Sequence, residues 1–153
     1  MSTTGSEVRA AFIEATRRTF SEMAFLDVEP ISMPGKQPEL SQVIQLAFLE
    51  PDQGFAALFL PLECKRRLVE NIYGEDWENL QPDQIDDCLL ELLNVLVGNY
   101  LLEAYGHEAA RDIALPRLLF DASEIAETDS QETFYFDAEG TVFKAVLESK
   151  HQG

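Results

Sequence analysis

The sequence has few cysteines, few basic residues and no long apolar run. Its two cysteines, Cys64 and Cys88, are widely separated and match no C-x-x-C or metal-ligand spacing, so we interpret both as reduced thiols of an intracellular protein. No apolar run reaches the roughly 18 residues that a membrane span needs, and the N-terminus lacks the charged-then-apolar pattern of a signal peptide. We therefore expect a cytoplasmic, soluble protein without a membrane partner.

Positive charge is scarce: 11 Lys and Arg stand against 28 Asp and Glu, for a formal net charge of −17. Nucleic-acid binding depends on neutralising phosphates with basic side chains, so this balance excludes DNA or RNA as expected partners. The one basic cluster is Lys65, Arg66 and Arg67. We interpret it as the exposed side of a short helix that pairs with surrounding acids.

The sequence also lacks a convincing arrangement of residues for nucleophilic catalysis or for a metal site, although the crowded acids near Asp87 would permit metal binding. Neither His107 nor His151 has the neighbours of a metal ligand or a catalytic triad, and Ser123 lacks the G-x-S-x-G frame of a hydrolase. The acids between Asp83 and Asp87 lack the Asn/Gly turn pattern of an EF-hand loop. We interpret Asp83 and Asp86 as charges that suit the positive N-terminal end of a helix dipole.

The most informative stretch is Ile85 to Tyr105, which has helical periodicity within a chain of 153 residues and 46% hydrophobic content. At 100° per residue, Asp87, Glu91, Asn94 and Gly98 fall in a narrow arc, while leucine and valine fill almost all of the rest. A glycine inside a helix costs about 1 kcal/mol relative to alanine, and close approach of another molecule is a usual compensation. We predict that this polar stripe is the functional site.

The other elements follow from periodicity and from Pro and Gly positions, and we expect residues 1–153 to form a single domain. A first helix is predicted from Glu7 to Phe25, an extended segment and loop from Asp27 to Glu39, and a short helix from Leu62 to Tyr73 that Gly74 ends. Two strands that form an antiparallel hairpin, followed by four later strands, are predicted at Ser41–Leu49, Phe55–Leu60, Asp112–Leu115, Leu118–Phe120, Thr133–Phe136 and Thr141–Leu147.

The element order contains a weak internal repeat, because each half has one long helix and at least one hairpin. The first helix aligns Glu14 and Arg17 with Glu91 and Asn94. The first half thus keeps the acid and replaces the amide by an arginine. We predict one functional stripe per chain, in the second half.

The pattern Asp87-x-x-x-Glu91-x-x-Asn94-x-x-x-Gly98, within DDCLLELLNVLVGN, resembles the signature helix of the CheC/CheX/FliY family of chemotaxis phosphatases. The single copy is typical of its CheX branch. The resemblance runs from Leu40 to Leu119 and includes Tyr73-Gly74 and a proline, Pro116, one residue nearer than the family places it, which leaves the alignment of 107–111 open. It implies an α/β fold of the α+β type, with an antiparallel sheet backed by long helices. It also implies a homodimer, for which we expect Thr141–Leu147 to offer a pairing edge.

The resemblance also implies an activity, the hydrolysis of aspartyl-phosphate on a CheY-like response-regulator receiver. Asn94 would orient the attacking water, Glu91 would engage the active-site lysine of the receiver, and Asp87 and Gly98 would belong to the docking surface. The chain would need no cofactor of its own, since the Mg²⁺ belongs to the receiver. Other interpretations remain open: a buried, satisfied Asn94, a surface Glu91 without a partner, or a non-catalytic adaptor of a signalling or flagellar-switch complex.

Overall fold

The computed structural model describes residues 5–36, 39–40, 42–48, 53–106, 115–119, 121–125 and 128–149. Three α-helices and six β-strands follow one another there, with short 3₁₀ turns at Trp77–Asn79 and Ala122–Glu124. In chain order the elements are α1 Gly5–Ala24, β1 Val28–Ile31, β2 Gln42–Phe48, β3 Gly54–Leu60, α2 Leu62–Tyr73, α3 Pro82–Tyr105, β4 Arg117–Leu119, β5 Gln131–Ala138 and β6 Thr141–Ser149. The three predicted helices are confirmed: α1 and α2 agree to within two residues at each end, and α3 contains the whole of the predicted stretch from Ile85 to Tyr105.

The strands form one antiparallel sheet in the order β1-β5-β6-β3-β2-β4. The predicted hairpin is the β2–β3 pair, in which Gln42 lies opposite Leu60 and Phe48 opposite Gly54. β5 and β6 form a second hairpin whose two-residue turn, Glu139 and Gly140, has φ angles of 51° and 100°. Positive φ at both central residues is what the right-handed twist of a tight hairpin requires. The predicted fold class, an antiparallel sheet backed by long helices, is confirmed.

The prediction that Thr141–Leu147 offers a pairing edge is wrong. This segment belongs to β6, which pairs with β5 on one side and β3 on the other, so among the described strands the edges of the sheet are β1 and β4. β6 buries alternate residues against the helices and also buries Val146 on the opposite face. Because the backbone groups on both sides of β6 are used in these pairings, they are not open to a second copy of the chain. Of the predicted strand Asp112–Leu115, residues 112–114 lie outside the described residues, and Leu115 is outside any strand and 89% exposed.

The main core lies between one face of the sheet and the helices α1 and α3. Aromatic rings from helix and strand meet there: Phe20 stacks on Phe143 at 4.9 Å between ring centroids, and Phe12 meets Tyr100 edge-on at 5.7 Å. The other face has a smaller buried cluster, to which the segment after β4 contributes Ile125. The apolar side of α3 is therefore committed to the core.

Both cysteines are buried. Burial raises the pKa of Cys64 to about 12 and that of Cys88 to about 11, so both thiols stay protonated at neutral pH. Within the described part of the chain, no helix is long and apolar enough to cross a membrane.

The internal repeat is clearer in the structure than in the sequence. The elements follow in the order α1-β1-β2-β3 and, after α2, in the order α3-β4-β5-β6. If β1, β2 and β3 exchange places with β4, β5 and β6, the strand order of the sheet is unchanged when it is read from the opposite edge. The central pair β3–β6 lies on the axis of this two-fold relation. Glu91 and Asn94 lie 77 positions after Glu14 and Arg17, and at this offset every buried position of α1 matches a buried position of α3. The predicted alignment of the two helices is thus supported by their packing.

Candidate functional site

The polar stripe predicted from the sequence lies on the exposed side of α3. We call it the α3 stripe: Asp87, Glu91, Asn94 and Gly98. The first three are exposed and Gly98 is half-buried, while the opposite side of the helix is buried in the core. Spacings of three and four residues keep the four positions on one face of the helix, with neighbouring side chains about 5–6 Å apart at Cβ. The helix therefore presents an acid, an acid and an amide in line toward solvent.

No side chain of the α3 stripe is engaged within the part of the chain that the structure describes. Asp87, Glu91 and Asn94 make no hydrogen bond and no ion pair there. The interpretation of Asn94 as a buried amide held by internal partners is therefore wrong. These polar groups are available to water or to another molecule.

Gly98 has open space where a side chain would be. A Cβ built on this residue would meet no atom within 4 Å, apart from its neighbours and its own helix backbone. Internal packing among the described residues therefore does not require glycine here. Glycine lowers the stability of a helix. The open space at Gly98 is consistent with the prediction that another molecule approaches the helix closely there.

Tyr73 borders the stripe, although its only distinction in the sequence is its place in the family resemblance. Its hydroxyl donates a hydrogen bond to the backbone oxygen of Gln84, at 3.0 Å, in the first turn of α3. Partial burial raises the pKa of Tyr73, and the nearby Cys88 and Asp87 raise it further, so the phenol is neutral at physiological pH. The C-terminus of α2 therefore lies at the Asp87 end of the stripe. A tertiary contact of this kind leaves no periodic pattern in the sequence.

The counterpart face on α1 has a different character. Glu14 and Arg17 are exposed like Glu91 and Asn94, but Arg17 pairs with Glu29 of β1 at 3.3 Å. Arg18 pairs with Glu22 at 3.1 Å. A cavity of about 260 Å³ between α1 and β1 is lined by these charged side chains. On this face of α1 the two arginines are therefore paired with acids, whereas Glu14 makes no ion pair among the described residues.

The basic cluster is used within the molecule. Lys65 donates to the side-chain oxygen of Gln42 at 3.2 Å, and Arg67 donates to the backbone oxygens of Ala138 and Glu139. Arg66 is paired with Glu78 at 3.9 Å. Among the described residues the predicted pairing with acids thus holds for Arg66, while the other two bind an amide and backbone oxygens. The cluster tethers α2 to the sheet.

Metal binding has no support in the described part of the chain. No group of three or more His, Cys, Asp and Glu side chains is placed there to hold a metal ion.

This chain, with its six-stranded antiparallel sheet backed by two long helices, has the same fold as solved structures of CheX, CheC-like and FliY proteins. No protein-family model matches the chain, and no curated protein matches it significantly. The comparison that succeeds is one of structure.

Three similar structures illustrate the range. CheX from Vibrio vulnificus has a TM-score of 0.75 at 15% identity, covering 97% of this chain and 100% of that chain. A CheX–CheY–BeF₃–Mg complex from Borrelia burgdorferi has a TM-score of 0.73 at 13% identity, covering 94% and 98%. FliY from Thermotoga maritima has a TM-score of 0.59 at 18% identity, covering 97% and 92%. At identities this low, the structural similarity shows a shared fold and nothing more. The function must therefore be argued from the site.

Proposed function

We propose that this chain is a phosphatase that accelerates hydrolysis of the aspartyl-phosphate on a CheY-like response-regulator receiver. The observation that supports this best is the exposed pair Glu91 and Asn94, without partners among the described residues, on a fold shared with CheX. One similar structure is a CheX–CheY complex, which supports a receiver as the partner. The proposal also places the chain in the cytoplasm, where such receivers act.

The reaction asks little covalent chemistry of this chain. The oxygen of a water molecule bonds to phosphorus, the bond from phosphorus to the aspartyl oxygen breaks, and inorganic phosphate leaves while the aspartate carboxylate is restored. Phosphoryl transfer depends mainly on positioning and on stabilising charge at the phosphoryl oxygens. In this proposal the receiver supplies the Mg²⁺ and a lysine, and this chain supplies the positioning without a cofactor of its own.

Asn94 has the role of orienting the water. Its amide oxygen accepts a hydrogen bond from the water and its NH₂ donates one, and neither group titrates near neutral pH. The glutamine that orients the attacking water in Ras-type GTPases is a chemical precedent. Because Asn94 is exposed at the middle of the α3 stripe, a docked receiver can bring its phosphoryl group to it.

Glu91 lies one helical turn before Asn94 and holds the receiver. Its carboxylate forms a charge-assisted hydrogen bond with the lysine of the receiver, which is stronger than a bond between neutral groups. Asp87 adds negative charge one turn further along the same face. Together the two acids orient the receiver so that Asn94 faces the phosphoryl group.

A non-catalytic adaptor is the second candidate, because the fold similarity also includes the middle domain of FliM, with a TM-score of 0.59. The two candidates differ in what happens to a phosphorylated receiver. We would follow the decay of phosphorylated receivers from the source genome with and without this chain. Faster decay that Asn94→Ala removes supports the phosphatase; binding without faster decay would overturn it in favour of the adaptor.

A further inference from the structure

Tyr73 is an aromatic side chain beside the α3 stripe that the proposed chemistry does not use. It is the last residue of α2, and it is 39% exposed. Gly74 follows in the left-handed conformation, with φ 66°, and its N–H donates to the oxygen of Glu70 at 2.8 Å. The Glu70 carboxylate in turn accepts the N–H of Trp77 at 2.9 Å. The end of α2 is thus fixed by hydrogen bonds on both sides of Tyr73.

The hydroxyl of Tyr73 is held by α3. It donates to the oxygen of Gln84 at 3.0 Å, and Gln84 precedes Asp87 by three residues and Glu91 by seven. Positions separated by three and seven residues share one face of a helix. The ring is therefore held at the end of the line formed by Asp87, Glu91 and Asn94.

Tyr73 stays 39% exposed even though it makes this contact with α3. Its polar tip already has a hydrogen-bond partner in the chain, so exposing the ring gains nothing for the isolated protein. Aromatic residues are enriched at the centres of protein interfaces, where a ring buries a large area and loses little rotamer freedom. A held, exposed ring next to acids that have no partner among the described residues suits a protein surface that has an apolar side chain beside a cation.

We propose that Tyr73 is a docking residue of the same site, and that its ring packs on an apolar side chain next to the receiver lysine that Glu91 engages. This inference rests on the proposed function for the identity of the partner. Tyr73 would add apolar contact area to the α3 stripe, whose other side chains are two carboxylates and an amide. The receiver is therefore recognised by a cation and an adjacent apolar group together.

Removing the ring tests the proposal. Tyr73→Ala is expected to raise the Kd for a beryllofluoride-loaded receiver by about tenfold or more, as for an aromatic residue central to an interface. The dephosphorylation rate at saturating concentration should stay within about twofold of wild type, because docking residues act on binding. Tyr73→Phe keeps the ring and should keep the Kd. Leu62→Ala is the matched control, since Leu62 is 51% exposed at the other end of the same helix, about 16 Å away.

An unchanged Kd for Tyr73→Ala overturns the proposal, and so does an equal loss in Tyr73→Phe, which would assign the effect to the hydroxyl bond. If Tyr73→Ala loses its fold, the ring resonances of Tyr73 in the wild-type protein give the answer, since they must shift when the loaded receiver is added. Unshifted resonances refute docking at Tyr73. A wild type that binds the receiver through Tyr73 without accelerating decay refutes the proposed phosphatase alone.

Discussion

The two long helices of this protein have equivalent places in the fold but different exposed faces. At an offset of 77 residues, α1 and α3 bury matching positions against the same sheet. On α1, Arg17 is paired with Glu29, whereas on α3 Glu91 and Asn94 have no partners among the described residues. Packing therefore constrains the inner faces of both helices alike. The outer faces are free to differ, and that is where the functional difference between the helices must be sought.

The sharpest test of this comparison is the amide. Asn94→Ala should remove most of the accelerated dephosphorylation, by about 100-fold or more, because placing the water matters chiefly in the transition state. Binding to a beryllofluoride-loaded receiver should be nearly unchanged. Arg17→Ala, at the equivalent position of α1, should leave both quantities as in wild type. Full activity in Asn94→Ala would contradict the assignment of the catalytic role to α3.

The second largest effect is expected from removing an acid of the α3 stripe. Glu91→Ala should weaken receiver binding by about 1–3 kcal/mol, the cost of leaving a desolvated charge without its partner, and turnover should fall with it. Glu14→Ala is the matched control on α1 and should bind normally. Calorimetric titration of both variants measures this, with circular dichroism to show that both are folded. Equal losses in the two variants would mean that general acidity, and not the α3 stripe, attracts the receiver.

Clearance at Gly98 should have a smaller effect. Gly98→Leu should weaken receiver binding by about tenfold, because the new side chain fills space that the partner needs, while helix propensity makes the free protein slightly more stable. The equivalent position on α1 is Ser21, and Ser21→Leu should not change binding. Thermal unfolding separates the possibilities: a destabilised Gly98→Leu would show that glycine serves internal packing, against the open space found there.

The two edges of the sheet extend the comparison to assembly. The homodimer remains a prediction. Sedimentation at about tens of micromolar, a concentration well above the Kd of a stable dimer, should give twice the mass of one chain. The edge strands β1 and β4 are equivalent in the two halves, but β1 contains Pro30, which has no N–H to donate to a partner strand. Any pairing through an edge is therefore expected at β4. A monomer at this concentration contradicts the prediction.

The smallest expected effect comes from giving α1 the missing amide. Arg17→Asn should not create a second active site, because the stripe on α1 still has Ala10 where α3 has Asp87 and Ser21 where it has Gly98. Stability should also change little, since an exposed ion pair such as Arg17–Glu29 contributes about 0–1 kcal/mol. Assaying Arg17→Asn combined with Asn94→Ala checks this. Restored activity would show that the amide alone makes the site.

Local features of this protein were predictable and long-range ones were not. The bounds of α2, the hairpin β2–β3 and the exposed stripe follow from periodicity, glycine and proline, which act within a few residues. The pairing of β1 with β5 joins Val28 to Ala138, and nothing local records that contact. The same limit explains the wrong edge at Thr141–Leu147 and the contact between Tyr73 and Gln84. Contacts between residues far apart in the sequence can be identified only once the fold is known.

The order of strands in the sheet also governs how the chain reaches its folded state. Within the described part of the chain, β1 pairs only with β5 and β4 only with β2, so each half supplies the edge strand that completes the sheet of the other half. Neither half can finish its sheet alone, and the central pair joins Gly54 to Ser149 across most of the chain. Contacts so distant in sequence require large loops to close before they stabilise anything, which slows folding. The intertwined halves should therefore fold slowly and unfold together, and a chain cut between α2 and α3 should regain its structure only when both fragments are present.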